Sequence, residues 1–304
     1  MKSTNNIFKS DKQFNCGILS LFALSLISAS MGIFMRTLGQ ELQLFQQLSF
    51  RLSAAFLVTI LLFYKDIDYE KLKKMTNRDW TVTSSRTLFM YLFGISSVTI
   101  AFIRSSNYGN ISFILALPMV AILGVLILKE KMTLIKALLI LLSFIGVVII
   151  SVDSFANITN WDISSLFALV GTTSMAMNAI LRNKHTNLLN DKEIAALMLF
   201  IAAFITTLIS FLLGERISSV NWSLNLIFMI MLAGLFNALI IFFINYGYSK
   251  VNPLTANNIV ATQSLFGVLI GIVFYQEVIG IREIIGGTFI ILSVIAFNKL
   301  RGKE

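Results

Sequence analysis

The amino-acid sequence predicts an all-α membrane protein of ten transmembrane helices arranged as two inverted five-helix repeats. Three observations carry that prediction: a composition suited to a bilayer, a series of long charge-free windows, and an internal duplication. Of 304 residues, 57% are hydrophobic and 13% charged, and mean hydropathy is +0.83, which places the chain far from soluble globular domains. One bilayer crossing takes roughly 20 consecutive apolar residues. Residues 105–128, 194–214, 217–249 and 251–276 each reach that length without a formal charge.

Apolar windows read against charged or turn-forming breaks give ten helices. In the first half they start near Gly17, Leu44, Thr81, Ser105 and Thr133; in the second, near Ile163, Ile194, Leu224, Asn252 and Gly280. The apolar stretch from Gly17 is too long for a signal-peptide core and is followed at once by further membrane segments, so it is expected to stay as the first helix. Only Arg104, Ser105 and Ser106 mark the break between the third and fourth helices, and without it nine segments result. The fifth follows Lys129, Glu130 and Lys131, and the seventh follows Asp191, Lys192 and Glu193.

Orientation follows from Lys and Arg, which are in excess in cytoplasmic loops. With the N-terminus inside, 18 of the 24 basic residues lie in the tails and loops of one side, from Lys2 through the cluster Lys65, Lys71, Lys73, Lys74 and Arg78 to Lys303. Four lie on the other side (Arg36, Arg104, Arg216, Arg282), while Arg51 and Arg86 fall within helices. Both termini are therefore expected in the cytoplasm, with the chain a multi-pass protein of the inner membrane. A nine-helix chain would place Lys299, Arg301 and Lys303 outside, so the same bias supports the tenth helix. The net charge of +9 resides in these short connections and not on one soluble face, which argues against a nucleic-acid partner.

The duplication shows at the residue level. The first helix opens GILSLFAL at residues 17–24 and the sixth DISSLFAL at residues 162–169, six of eight positions identical. An offset of 147 residues also aligns Asn110 with Asn257, Gly124 with Gly271 and Glu130 with Glu277. The chain divides into a tail at residues 1–16, a first repeat at 17–152 and a second at 153–304. Five helices per repeat is an odd number, so the second half enters the membrane from the opposite side. Secondary transporters use this arrangement, binding substrate near the midplane between two halves that rock.

These residues resemble the drug/metabolite transporter superfamily, in particular its ten-helix EamA-type members. The resemblance is densest at residues 101–147, where Pro118 sits mid-helix, Gly124 follows, and LKEKMT (128–133) leads into a helix ending in Gly146 and Val147. The second copy carries Gly271, Glu277 and the pair Gly286–Gly287 in a similar frame, with Leu265 in place of Pro118 and Ser293 in place of Gly146. Arg51, in SFRLSAAFL, resembles an Arg placed early in the second helix of such proteins. The resemblance implies a central cavity lined by helices one to four and six to nine, with the fifth and tenth peripheral. It also implies movement of a small metabolite, often an amino acid or a related amine or nucleoside compound.

Arg51 lies seven residues into the second helix, ~10 Å from its outer end at 1.5 Å per residue. It either binds a substrate carboxylate or phosphate, or it snorkels outward or pairs with Glu41. Asn110, Asn178, Asn237, Asn257, Asn258, Thr262 and Gln263 are too polar for lipid-facing positions at helix middles. They are candidate substrate ligands, while the neighbouring Ser and Thr fit interhelical hydrogen bonding better. Pro118 removes a backbone hydrogen bond and suits a fixed kink or a hinge. Glu130 and Glu277 precede helices, where a carboxylate stabilises free N–H groups.

Other classes fare worse. The single cysteine, Cys16, and the single histidine, His185, beside Arg182 and Lys184, exclude a disulfide scaffold and a zinc enzyme. A membrane enzyme needs a deep nucleophile or carboxylate cluster, whereas all 15 carboxylates fall in loops, tails or helix ends. The same absence predicts facilitated diffusion or exchange in place of proton coupling. A structural or assembly protein accounts for the polar residues but not for the duplicated polar midplane. The expected activity is secondary transport of a small polar metabolite, with amino-acid export first and uptake or exchange of a nucleoside-like cofactor such as S-adenosylmethionine second. The expected partners are the substrate and the lipid bilayer, with a homodimer possible and no cofactor or metal.

Overall fold

A computed structural model describes residues 2–105, 119, 123, 126–127, 133–151, 163–182, 188–217, 220–251, 253–278 and 280–301. The fold is all-α. Numbering spans by the ten sequence segments, the described helices are the first (Lys2–Glu41), second (Leu44–Phe63), fifth (Leu134–Ser151), sixth (Ile163–Leu181), seventh (Asp191–Leu212), eighth (Leu224–Lys250) and tenth (Ile281–Arg301). The third is continuous over Asn77–Arg104, and the ninth is in two pieces, Pro253–Val260 and Gln263–Tyr275. Most of the fourth span, with Asn110, Pro118 and Glu130, lies outside the described residues. Among those described, five helices are long and apolar enough to cross a membrane, and shorter apolar helices supply parts of the others.

Helix starts differ from expectation where capping chemistry intervenes. The third begins at Asn77 because Thr76 and Asp79 form a reciprocal capping box. Likewise the seventh begins at Asp191, where the Asn190 side chain accepts from Lys192 N and Glu193 N and the Glu193 carboxylate returns to Asn190 N. The first helix runs back to Lys2 through the segment assigned to a tail, since residues 2–16 contain no Gly or Pro to stop it. The break after the third span is real: Ser105 is extended, and Arg36 of the first span donates from Nε to Phe102 O (3.2 Å) and from Nη2 to Ser105 O (3.1 Å). A cation thus covers the last-turn carbonyls and the negative end of that helix.

The inversion is visible in how equivalent spans meet. The second and seventh pack antiparallel, with Ser49 Oγ 2.6 Å from Thr207 Oγ1, the rings of Phe56 and Phe200 at 5.4 Å, and Lys192 Nζ 5.0 Å from the Phe63 ring. Successive contacts advance seven residues on one helix and seven or eight on the other, a heptad-like seam running the length of both. The fifth and tenth behave alike: Ser293 Oγ donates to Leu139 O at 2.6 Å, and seven residues along, Gly146 faces the backbone of Gly286. A Cβ added to Gly146 would stand 2.6 Å from Gly286 O, so the small residue is what permits this approach.

Both ends of the second–seventh seam are tied by a carboxylate. At one end Glu215 accepts from Phe45 N (3.3 Å) and Gln46 N (2.7 Å) at the start of the second helix. At the other, basic end, buried Glu193 accepts from Asp68 N (3.0 Å) and pairs with Lys71 Nζ (2.9 Å), while Lys192 pairs with Asp66 (2.6 Å). Beyond that seam the second span also packs on the eighth, where Gly234 meets Ala54, and two equivalent contacts join the first span to the eighth and the sixth to the third. Gly247 receives Leu21 and Gly171 receives Val98.

Candidate functional site

A cavity lies between the repeats, with about 120 Å³ open to the centre of a water-sized sphere; a single water needs only ~10–15 Å³ on that measure. Its walls come from the first, third, fourth, sixth, eighth and ninth spans, which are three equivalent spans from each repeat. Neither the second nor the seventh contributes a lining residue, because each has turned its packing face to the other. This corrects the expectation that helices two and seven line the cavity.

Most of the lining is apolar, and Met31, Met35, Met90, Met119 and Met175 give it flexible, polarisable walls. Spacing explains how single helices serve it. Leu24, Ser28, Met31 and Met35 form one stripe of the first helix, and Thr172, Met175, Ala176 and Ala179 one stripe of the sixth. In the third span, residues 88–95 form a π-helical segment, so that Met90 and Ile95, five apart, both face inward. The ninth span breaks at Ala261 and Thr262, and Val260 and Gln263 on either side of the break line the cavity.

Of the sequence candidates, Asn178, Asn237 and Gln263 are brought together in this lining. Asn237 donates from Nδ2 to Ala233 O at 2.8 Å, one turn back, which leaves its Oδ1 as an acceptor without a partner among the described residues. Gln263 has no hydrogen-bond partner among the described residues and offers both a donor and an acceptor. Thr262 is not in the lining; its hydroxyl donates to Ile259 O at 2.7 Å and closes the local turn. Asn257 and Asn258 lie on Pro253–Val260, and their side chains fall outside the described ones. Glu277 stands four residues before the tenth helix, its carboxylate packed on Gly271 of the preceding one.

Arg51 is fully buried but is not in the lining; it donates to Gln47 Oε1 at 3.3 Å, on its own helix. The residue that sequence reasoning passed over is Arg86. It is also fully buried, and it joins the third span to two spans of the other repeat: Nε donates to Asn178 Oδ1 at 3.1 Å and Nη2 to Asn245 Oδ1 at 2.9 Å. The rarity of a cation within a membrane helix marks Arg86 as it marks Arg51. Asn245 carried no separate signal, since its role comes from a residue 159 positions away.

Among the described residues, no group of three His, Cys, Asp or Glu side chains is placed to hold a metal ion. The family model of EamA-like transporters matches residues 15–152 and again residues 162–299. One crystal structure superposes with a TM-score of 0.72 at 12% identity, over 92% of this chain and 96% of that one, which shows a shared fold. No curated protein matches the chain.

Proposed function

From the premise that the chain belongs to the EamA-like transporter family, we propose that it carries a small polar metabolite, an amino acid or a related compound, across the inner membrane by alternating access. One observation supports this above others: equivalent spans of two inverted repeats enclose a cavity whose apolar wall is interrupted by Asn178, Asn237 and Gln263. Convergent polar groups in an apolar cavity suit a ligand with a polar head and an apolar body. Transport runs down the substrate's own gradient, so a metabolite made inside the cell is exported. Both termini face the cytoplasm, as the 18-to-4 distribution of basic residues supports.

Thermal unfolding of the purified protein against a metabolite panel tests the reading. An amino acid or close relative should raise the melting temperature, and Asn237→Ala or Gln263→Ala should weaken its binding by about tenfold, the worth of one hydrogen bond in a closed site. Stabilisation by nucleoside-like compounds alone would redirect the substrate assignment. Stabilisation by nothing, in protein that is folded, would favour an assembly role.

A further inference from the structure

Arg86 is a permanently charged group, because guanidinium does not release its proton in proteins. Nevertheless, its two hydrogen-bond partners, Asn178 and Asn245, are neutral. Asp191, the carboxylate that acts on it electrostatically, is already ion-paired with Arg182 at 2.6 Å and accepts from Ser249 Oγ at 3.2 Å. Among the described residues, Arg86, Arg182 and Asp191 together therefore leave one positive charge uncompensated, on a side chain with no exposed surface. A buried cation without a counter-ion is costly, and such groups in membrane helices mark ligand paths.

The free donors around that charge have a definite pattern. Arg86 Nη1 and Asn245 Nδ2 are both buried and without partners among the described residues. The direction of each amide is fixed, since guanidinium only donates and both Asn side chains must present oxygen to it. Asn178 Nδ2 therefore points the other way, onto the thioether sulfur of Met90 at 3.5 Å. A thioether is a weak acceptor on a flexible side chain. Asn178 and Met90 line the cavity, and so does Tyr248, one turn beyond Asn245. The cluster thus lies directly behind the cavity wall, with Met90 as its cover.

Deepening the transporter reading, on which this rests, we infer that Arg86, Asn178 and Asn245 form a subsite for one carboxylate group, so that the transported metabolite is a monocarboxylate with an apolar body. The carboxylate takes the place of the Met90 sulfur, meets Nη1 of Arg86 and the two amide Nδ2 groups, and neutralises the cluster. One uncompensated positive charge matches a single carboxylate better than a doubly charged phosphate ester. The methionine-lined remainder of the cavity receives the apolar part.

Binding of four probes of one shape tests this: L-leucine, 4-methylpentanoate, L-leucinamide and 3-methylbutylamine. Wild-type protein should prefer the two carboxylates over the amide and the amine by about tenfold or more, the worth of a charge-assisted hydrogen bond. Arg86→Gln should erase that preference, and Arg86→Lys should keep part of it. Asn245→Asp builds a carboxylate into the subsite, so it should raise the melting temperature and abolish binding of both carboxylate probes; it decides the matter if Arg86→Gln does not fold. Persistence of the preference in Arg86→Gln, or of carboxylate binding in Asn245→Asp, overturns the subsite. A wild type that binds only ligands lacking a carboxylate also overturns it and leaves the transporter reading standing. One that binds no small molecule at all removes both.

Discussion

At the scale of single residues, two buried arginines with the same rarity in sequence have different surroundings. Arg51 bonds to Gln47 on its own helix, and its Nε and Nη2 have no partner among the described residues. It is paired with neither Glu41 nor any lining residue of the cavity. Replacing a buried, poorly satisfied ion by an apolar side chain of similar volume is often neutral or stabilising. Arg51→Met should therefore hold or raise the melting temperature and leave ligand affinity at the central cavity within about threefold, well under the worth of a direct charged contact. A loss of affinity above tenfold would place the ligand at Arg51 instead. The sequence marks both arginines as unusual, but what distinguishes them is tertiary: Asn178 and Asn245 lie 92 and 159 residues from Arg86.

Elements were far more legible than sites, because the bilayer imposes one length and one solvent on every span. Starts at Leu44, Ile163 and Leu224 coincide with the windows read from hydropathy. Shifts at Asn77 and Asp191 arise from capping boxes whose Thr, Asp, Asn and Glu look like loop residues to a hydropathy window. The ninth span shows how a helix opens without a proline. In a regular helix Leu265 N bonds to Ala261 O; here it bonds to Thr262 O at 3.0 Å, and the Ser264 hydroxyl takes Ala261 O at 2.9 Å. Leu265 occupies the repeat position of Pro118, a residue whose chemistry removes that same bond. Serine and threonine therefore open the second copy where the sequence, lacking a proline, gave no sign of a break. At the peripheral pair, Gly146 against Gly286 supports a firm expectation. Gly146→Leu should cost about 1–3 kcal/mol through overpacking, seen as a lower melting temperature, with ligand affinity unchanged because no described residue of the fifth or tenth span lines the cavity. Affinity falling in step with stability would mean that this pair shapes the site.

For the whole molecule, the duplication legible in residues 17–24 and 162–169 becomes a two-fold relation between spans. Equivalent helices pair antiparallel at the second–seventh and fifth–tenth contacts, and equivalent trios enclose the cavity. The seam between the second and seventh spans is tied by Glu215 at one end and Glu193 at the other, with Ser49 and Thr207 in contact between them. On the proposed function, substrate passage relies on movement around the cavity while that seam stays closed. Which spans seam and which ones line could not be read from periodicity alone, because all of them are apolar on most faces.

The central claim is that a small metabolite crosses through this cavity while the seam holds. Counterflow of the ligand found by thermal stabilisation, labelled outside proteoliposomes preloaded with the unlabelled compound, tests it most directly. Two variants are compared in a Cys16→Ser background: Ser49→Cys with Thr207→Cys, oxidised to lock the seam, and Ala179→Cys in the cavity wall, treated with a thiol reagent. The account predicts that the locked seam keeps at least half of the counterflow, on the order of an unperturbed carrier, and that the modified cavity loses nearly all of it. Counterflow that survives modification of Ala179→Cys, or that stops when the seam is locked, would contradict it.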